Sequence, residues 1–334
     1  MAQVAYYECP TMRAFEPHPW LRNPHAMTLA GSFWPQRAGR LPPAESRQFE
    51  VEPGTRLLAK CHWQPQRRLC ATLVLVHGLE GSSESGYMRG LAEQAFSADL
   101  NVLRVNQRTC GGSEELTPTL YGSGLSEDYR VILTELIERD RLPALYFAGY
   151  SMGGNLVLAM TGRLGASAPP QLRGVCGVCP TIELSACVEA LGRRGNALYQ
   201  WHFGRGLNAR LRRKARLFPG KVALDGLERV RTVREFDDAI TAPHFGYRDA
   251  DDYYYRASAS RVIGQIAVPA LILTAQDDPV VPFGIFQAPG VRGNPQISVV
   301  APEWGGHCAF ISRFAGRERF WAEARAVEFC LAGN

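Results

Sequence analysis

Three stretches of this chain are apolar almost without interruption: ATLVLVHG (71–78), ALYFAG (144–149) and ALILTA (270–275). A strand with one wet face alternates polar and apolar residues. A strand covered on both faces does not, so these runs predict a sheet buried on both sides, as parallel sheets are. Further β-rich runs at 57–63, 100–106, 172–179 and 296–302 extend it. Helical patterns separate them. EDYRVILTELIERD (127–140) sets Val131, Leu133, Leu136 and Ile137 along one face, and residues 153–165 and 317–332 repeat the device. Strand and helix in alternation predict an α/β fold, a mostly parallel central sheet with helices on both faces. The 334 residues hold neither an internal repeat nor a low-complexity linker, so one domain over 1–334 is expected.

One segment breaks the rhythm. From about 181 to 266 there is no clear strand but much helical character, as in SACVEALGRR and ALYQWHFGRGLNARLRRKARL. A helical insertion in an α/β sheet is expected to cap the strand ends. Its basic run, Arg205 to Arg216, is read as a solvated helix face, with contact to anionic lipid headgroups as the alternative.

The junction of run 144–149 with the next helix reads GYSMGGN, which fits G-x-S-x-G at Ser151. A nucleophile on a sharp strand-to-helix turn needs an unusual backbone conformation, and tiny neighbours let strand and helix approach. The N–H of the following Met152 points towards a helix start, where an anion is favoured. A serine hydroxyl also needs a base, and the base an orienting acid. Candidates follow in the expected chain order: Asp277 and Asp278 after run 270–275, then His307 in APEWGGHCAF after run 296–302. Adjacent residues leaving a strand point in opposite directions, so only one of the two aspartates can reach the imidazole. Proline restricts the residue before it to extended conformations, which would hold the Asp278 carboxylate in one direction. An oxyanion hole is expected from the N–H of Leu79, in HGLEG, beside that of Met152. His77, on that first motif rather than after the last strand, is assigned a structural role. Activity should rise through about pH 6 to 7 as a histidine base becomes neutral.

At these residues the chain resembles the YheT-like esterase family, to which eukaryotic ABHD-type lipases are similar. The matching segments are PHPWLRNPHAMTLAGSFWPQ, HGLEGSSES, GYSMGGN, VREFDDAITAPHFGYRDADDYYYRASA, QDDPVVP and GGHCAF. The resemblance implies an α/β-hydrolase fold and serine-dependent hydrolysis of short- to medium-chain acyl esters or lipid esters. By motif, Ser151 is the nucleophile and His307 the base; the acid lies in QDDP, and related hydrolases commonly place it just before the proline, at Asp278. One departure is NQRTCGGSEELTPTLYGSG, where Thr109 and Gly122 stand in place of the family's Arg-Gly-Cys and Tyr-His-Ser/Ala-Gly turns. These loops are expected to shape the pocket. An O-acyltransferase with the same triad and an inactive binding protein on the same fold are the alternative functions.

Composition narrows the partners. A net charge of +5 carried by scattered arginine offers no basic–aromatic array for nucleic acid. No apolar run is long enough to span a bilayer, and the first twenty residues lack the order of a signal peptide. Nine cysteines, mostly within apolar runs, read as reduced, so a cytoplasmic location is expected. Cys176 and Cys179 form a C-x-x-C pair, but in a strand-like run rather than at a helix start, and are read as structural. No phosphate-binding glycine loop or metal-ligand cluster appears in the sequence, so neither cofactor nor metal is implied.

Overall fold

The computed structural model describes residues 12–34, 41–222, 224 and 227–333. Eight strands form one sheet: β1 (Glu45–Glu52), β2 (Thr55–His62), β3 (Thr72–Val76), β4 (Asn101–Val105), β5 (Leu145–Tyr150), β6 (Leu172–Val178), β7 (Ala270–Leu273) and β8 (Ile297–Val300). Their spatial order is β1-β2-β4-β3-β5-β6-β7-β8. β1 and β2 pair antiparallel, as do β2 and β4, and every other pair is parallel. In β3, β5 and β7 every residue is buried, the state their unbroken apolar runs predict. One face packs Val74, Val76 and Phe147 on Ile132 and Leu156. The other packs Leu73, Leu75 and Tyr146 within a cluster that includes Met88, Leu91 and Val327.

β1 has no counterpart in the sequence reading. Its residues, ESRQFEVE, lie at the sheet edge and bury only Phe49 fully, so hydrophobic patterning leaves little trace of it. Pairing with β2 supplies the strand instead, through a turn at Gly54.

Helices α1 (Pro24–Phe33), α2 (Gly86–Phe96), α3 (Glu127–Glu138) and α4 (Met152–Leu164) come before β6. In α3 the buried stripe runs through Tyr129, Ile132, Leu133 and Leu136, with Val131 and Ile137 at its margins. Between β6 and β7 lie α5 (Leu184–Leu191), α6 (Ala197–Leu217), α7 (Val233–Phe236), α8 (Ala242–His244) and α9 (Ala250–Ala257), with a π-helical turn at Asp237–Thr241. Among the described residues this segment contains no strand. Helices α10 (Pro289–Arg292) and α11 (Trp321–Ala332) complete the chain. No helix of the described residues is long and apolar enough to cross a membrane.

The basic run in α6 is not a uniformly solvated face. Arg205, Arg212, Arg213 and Arg216 are exposed, but Lys214 is fully buried and Arg210 turns inward on the face that carries Leu207 and Leu211. The Lys214 ammonium donates to the carbonyl oxygens of Glu114 (2.5 Å) and Thr117 (2.6 Å). Burial lowers its pKa to about 8. Spacings of three and four residues put 207, 210, 211 and 214 on one side of the helix, so two of the cations follow the apolar stripe inwards.

Strands β4 and β5 leave β3 on opposite sides, which makes the carboxyl ends of β3 and β5 the switch point of the sheet, the place where α/β folds hold ligands. There α4 presses against the sheet so closely that a Cβ on Gly153 would lie 2.3 Å from the Val76 carbonyl oxygen. Gly153→Ala should therefore destabilise the fold by about 1–3 kcal/mol, as overpacking does. Urea unfolding followed by far-UV circular dichroism measures it; an unchanged midpoint would refute the contact.

Candidate active site

Ser151 stands at the carboxyl end of β5 with φ at 52°, a left-handed conformation rare for a residue with a side chain. Its surroundings hold it there. The Ser151 N–H donates to the Val178 carbonyl (2.8 Å), and its own carbonyl accepts from Asn155 (3.1 Å) and Thr181 (3.3 Å). Glycine at 149 is required because a Cβ there would fall 2.2 Å from the Gly153 carbonyl oxygen.

Beyond β8 the chain returns to this point. His307 Nε2 lies 3.0 Å from Ser151 Oγ, and His307 Nδ1 lies 2.9 Å from Asp278 Oδ2. The Asp278 side chain is wholly buried, and its Oδ1 also accepts the N–H groups of Val280 (2.8 Å) and Val281 (2.9 Å). These bonds fix one carboxylate orientation, as expected of the residue before Pro279. Asp277 turns away, and its Oδ1 accepts the Gly306 N–H at 2.9 Å, holding the histidine loop from below. The His307 N–H is in turn anchored on Thr28 Oγ1 (2.8 Å) of α1. Met27 packs with Ala309 and Ile311 on the same loop. The amino-terminal motif of the sequence analysis is thus a brace for the histidine loop, except that residues 35 and 36 of it lie outside the described residues.

Leu79 and Met152 line one cavity with Ser151 and His307. Neither N–H donates to a protein acceptor among the described residues. Sequence reasoning did not find what positions Leu79. Glu80, next along, accepts from Tyr121 Oη (2.5 Å) and from Arg210 Nε (3.0 Å), and its N–H reaches Tyr121 Oη at 3.3 Å. Arg210 also donates to the Thr109 carbonyl. The only sequence traces were the motif containing Glu80 and the basic run containing Arg210, and neither showed that the two would meet. Of the two positions that depart from the family pattern, Gly122 lines the cavity; Thr109 stands behind Arg210 instead.

His77 is fully buried, its Nδ1 2.8 Å from the Gly78 carbonyl and its Nε2 accepting the Gln107 N–H (3.0 Å). Burial lowers its pKa to about 4, so it stays neutral and holds the strand end. Cys176 and Cys179 are buried free thiols; Cys9 lies outside the described residues.

The cavity is lined mainly by apolar side chains. The 181–266 segment supplies Leu184, Leu191, Leu207, Leu211 and Phe236 to its wall. Asp237 faces it from the π-helical turn, and burial lifts that carboxyl's pKa to about 6 despite a hydrogen bond from Tyr254 Oη (2.8 Å).

A parallel sheet with a strained serine elbow at its switch point, and a histidine and an aspartate in line behind it, defines an α/β hydrolase. Residues 71–314 match the alpha/beta hydrolase fold family. The chain belongs to that family, and within it to the YheT-like esterases. It is 33% identical over 259 residues to "Putative esterase YheT" of Escherichia coli, covering 77% of this chain and 75% of that one. It is 29% identical to phospholipase ABHD3 of Mus musculus, covering 78% of this chain and 63% of that one. With the monoacylglycerol lipase of Saccharomyces cerevisiae the identity is 30%, covering 75% and 57%. The chain therefore spans less than two thirds of the last two. Among solved structures, the Pyrococcus furiosus esterase Pf2001 shares the fold with a TM-score of 0.56 at 15% identity, over 86% of this chain and 92% of that one.

Burial disfavours a charge on His307, but the charge and hydrogen bond of the Asp278 carboxylate outweigh it and hold the pKa above the ordinary 6.5. The rise in activity is accordingly expected above the range of pH 6 to 7. The neutral imidazole is gained only above the raised pKa. An NMR titration of His307 should place its midpoint above 6.5 in the free protein, and Asp278→Asn should move it down. A midpoint unmoved by that substitution would mean the pair is not coupled.

Proposed function

We propose that this chain is a serine carboxylic ester hydrolase that works through an acyl-serine intermediate on short- to medium-chain acyl esters or lipid esters. The observation that carries the reading is the continuous line from Asp278 through His307 to Ser151, with contacts of 2.9 and 3.0 Å. Esterases and lipases among the relatives support the reaction class, and the apolar cavity wall supports an acyl group as the moiety held.

In this reading Ser151 Oγ attacks the ester carbonyl carbon while His307 Nε2 takes its proton. The negative charge moves to the carbonyl oxygen, where the N–H groups of Leu79 and Met152 receive it. Each such donor contributes about two to three orders of magnitude in rate. As the carbonyl re-forms, His307 returns the proton to the departing alkoxide, and the alcohol leaves. A water then repeats the sequence on the acyl-serine, releasing the acid and restoring the hydroxyl. Asp278 fixes the imidazole tautomer and opposes the charge on the imidazolium throughout. Segment 181–266 acts as the cap: its apolar side chains enclose the acyl chain and keep water from the rest of the cavity.

The test is a panel of p-nitrophenyl esters of increasing chain length, run on wild type and variants. Ser151→Ala should fold normally and lose nearly all turnover, and a fluorophosphonate should label Ser151 and no other serine. Asp278→Asn should reduce kcat by about 10⁴, by analogy with serine proteases. Asp277→Asn should lower stability more than turnover, since its bond is to the Gly306 backbone. Labelling elsewhere, or an active Asp278→Asn beside an inactive Asp277→Asn, would overturn the respective assignments.

A further inference from the structure

Two cysteines meet the histidine of this site, one of them from far away in the sequence. Cys179 follows β6 and Cys308 follows His307, both in the left-handed region, with φ of 45° and 62°. The Cys308 N–H donates to Cys179 Sγ at 3.3 Å, and Cys308 Sγ lies 3.7 Å from His307 Nε2. The sulfur of Cys179, the sulfur of Cys308 and a ring nitrogen of His307 lie within 4.8 Å of one another. Both thiols are free, and their own hydrogen bonds are long sulfur contacts, from Cys179 to the Gly306 carbonyl (3.9 Å) and from Cys308 to the Val178 carbonyl (3.6 Å). Little is lost if they turn elsewhere.

Tetrahedral zinc, with sulfur at about 2.3 Å and nitrogen at about 2.0–2.1 Å, sets neighbouring donors about 3.4–3.8 Å apart. The spacing from Cys308 Sγ to His307 Nε2 already has that value, and the remaining edges need a contraction of an ångström at most. Two sulfurs and one imidazole are the donor set preferred by thiophilic divalent cations. Cys308 and His307 are partly exposed, and His307 lines the open cavity, which gives a route of entry.

We propose that Cys179, Cys308 and His307 form an inhibitory binding site for a thiophilic divalent cation such as zinc or cadmium. Binding exchanges two thiol protons for the cation and forms two metal–sulfur bonds and one metal–nitrogen bond. The fourth position is open to water or to the Ser151 hydroxyl. Occupied by the metal, the Nε2 lone pair is no longer free to take the serine proton, so turnover stops. The inhibition rests on the Ser151–His307 reading; the binding itself does not.

Cadmium titration of the reduced, chelator-treated full chain tests the binding directly. Wild type should develop thiolate-to-cadmium charge-transfer absorption in the ultraviolet, saturating at one equivalent, which zinc abolishes by competition. In the ester assay zinc should inhibit, and a chelator should restore the rate. Cys308→Ala and Cys179→Ala should each keep metal-free turnover and lose the absorption. Replacing a residue that merely supports a ligand costs about 10–100-fold in metal affinity. Loss of a ligand should cost no less, read as the zinc concentration for half-inhibition. Cys308→Ser serves as a second variant should alanine at the buried position 179 impair folding. Unchanged zinc sensitivity in the variants, absence of the absorption, or recovery with a thiol reductant but not with a chelator would overturn the proposal. Absorption without any ester turnover would instead sink the hydrolase reading and leave the site standing.

Discussion

Between Gly153 and the carbonyl oxygens of Val76 and His77 there is no room for a side chain: a Cβ would lie 2.3 and 2.5 Å from them. That approach of α4 to the end of β3 brings the serine turn against the turn after β3. Gly78 sits so near that a Cβ on it would stand 3.2 Å from Ser151 Cβ. With a larger residue at 153 the helix would stand off from the end of β3. The left-handed backbone of Ser151 costs of the order of 1–3 kcal/mol. Its three backbone hydrogen bonds, to Val178, Asn155 and Thr181, offset that cost by tying the turn to β6 and to α4.

The same region couples the sheet to the segment above it. Asn155, which ends the GYSMGGN motif, is fully buried; its Nδ2 donates to the carbonyls of Ser123 (3.2 Å) and Ala257 (2.9 Å). Its Oδ1 accepts the Ala259 N–H (2.8 Å). One amide thereby joins α4, the 120–124 loop and the end of α9. Glu80 does the corresponding work on the other flank, between the turn after β3 and Arg210 of α6. A buried pair of this kind is weak evidence of net stability, because desolvation cancels much of the attraction. Its value is directional. Removing either partner would leave a charge unpaired beside Leu79, so the pair holds the loop in one place.

Much of this was legible in the residues. β-rich runs betrayed seven of the eight strands, and in three of them burial on both faces left the run continuously apolar. The serine elbow, the acid and the histidine each follow a strand, and chain order alone aligned them. What escaped notice shares one property: it depends on which segments meet. β1 exists through pairing at an edge where side chains stay wet. Arg210 and Lys214 read as part of a solvated charge run, yet turn inward on the apolar face of α6. Cys179 and Cys308 lie 129 residues apart, and no spacing rule for ligands spans that gap.

The three residues in line come from three elements, and they are not held equally. Ser151 is locked by the elbow, and Asp278 by the two N–H groups that follow it. His307 rides on a loop whose neighbours Gly306, Cys308 and Phe310 all take positive φ, so the loop's own conformation does not secure it. The anchors come from outside: Thr28 of α1 receives the His307 N–H, and Asp277 receives that of Gly306. Thr28 is itself set by its bond to the Pro24 carbonyl (2.7 Å), one helical turn back. A contact of 3.0 Å between Nε2 and Oγ tolerates a shift of only about half an ångström before it is lost. The amino-terminal helix, nearly three hundred residues from the histidine in sequence, is therefore part of what keeps His307 Nε2 beside Ser151 Oγ.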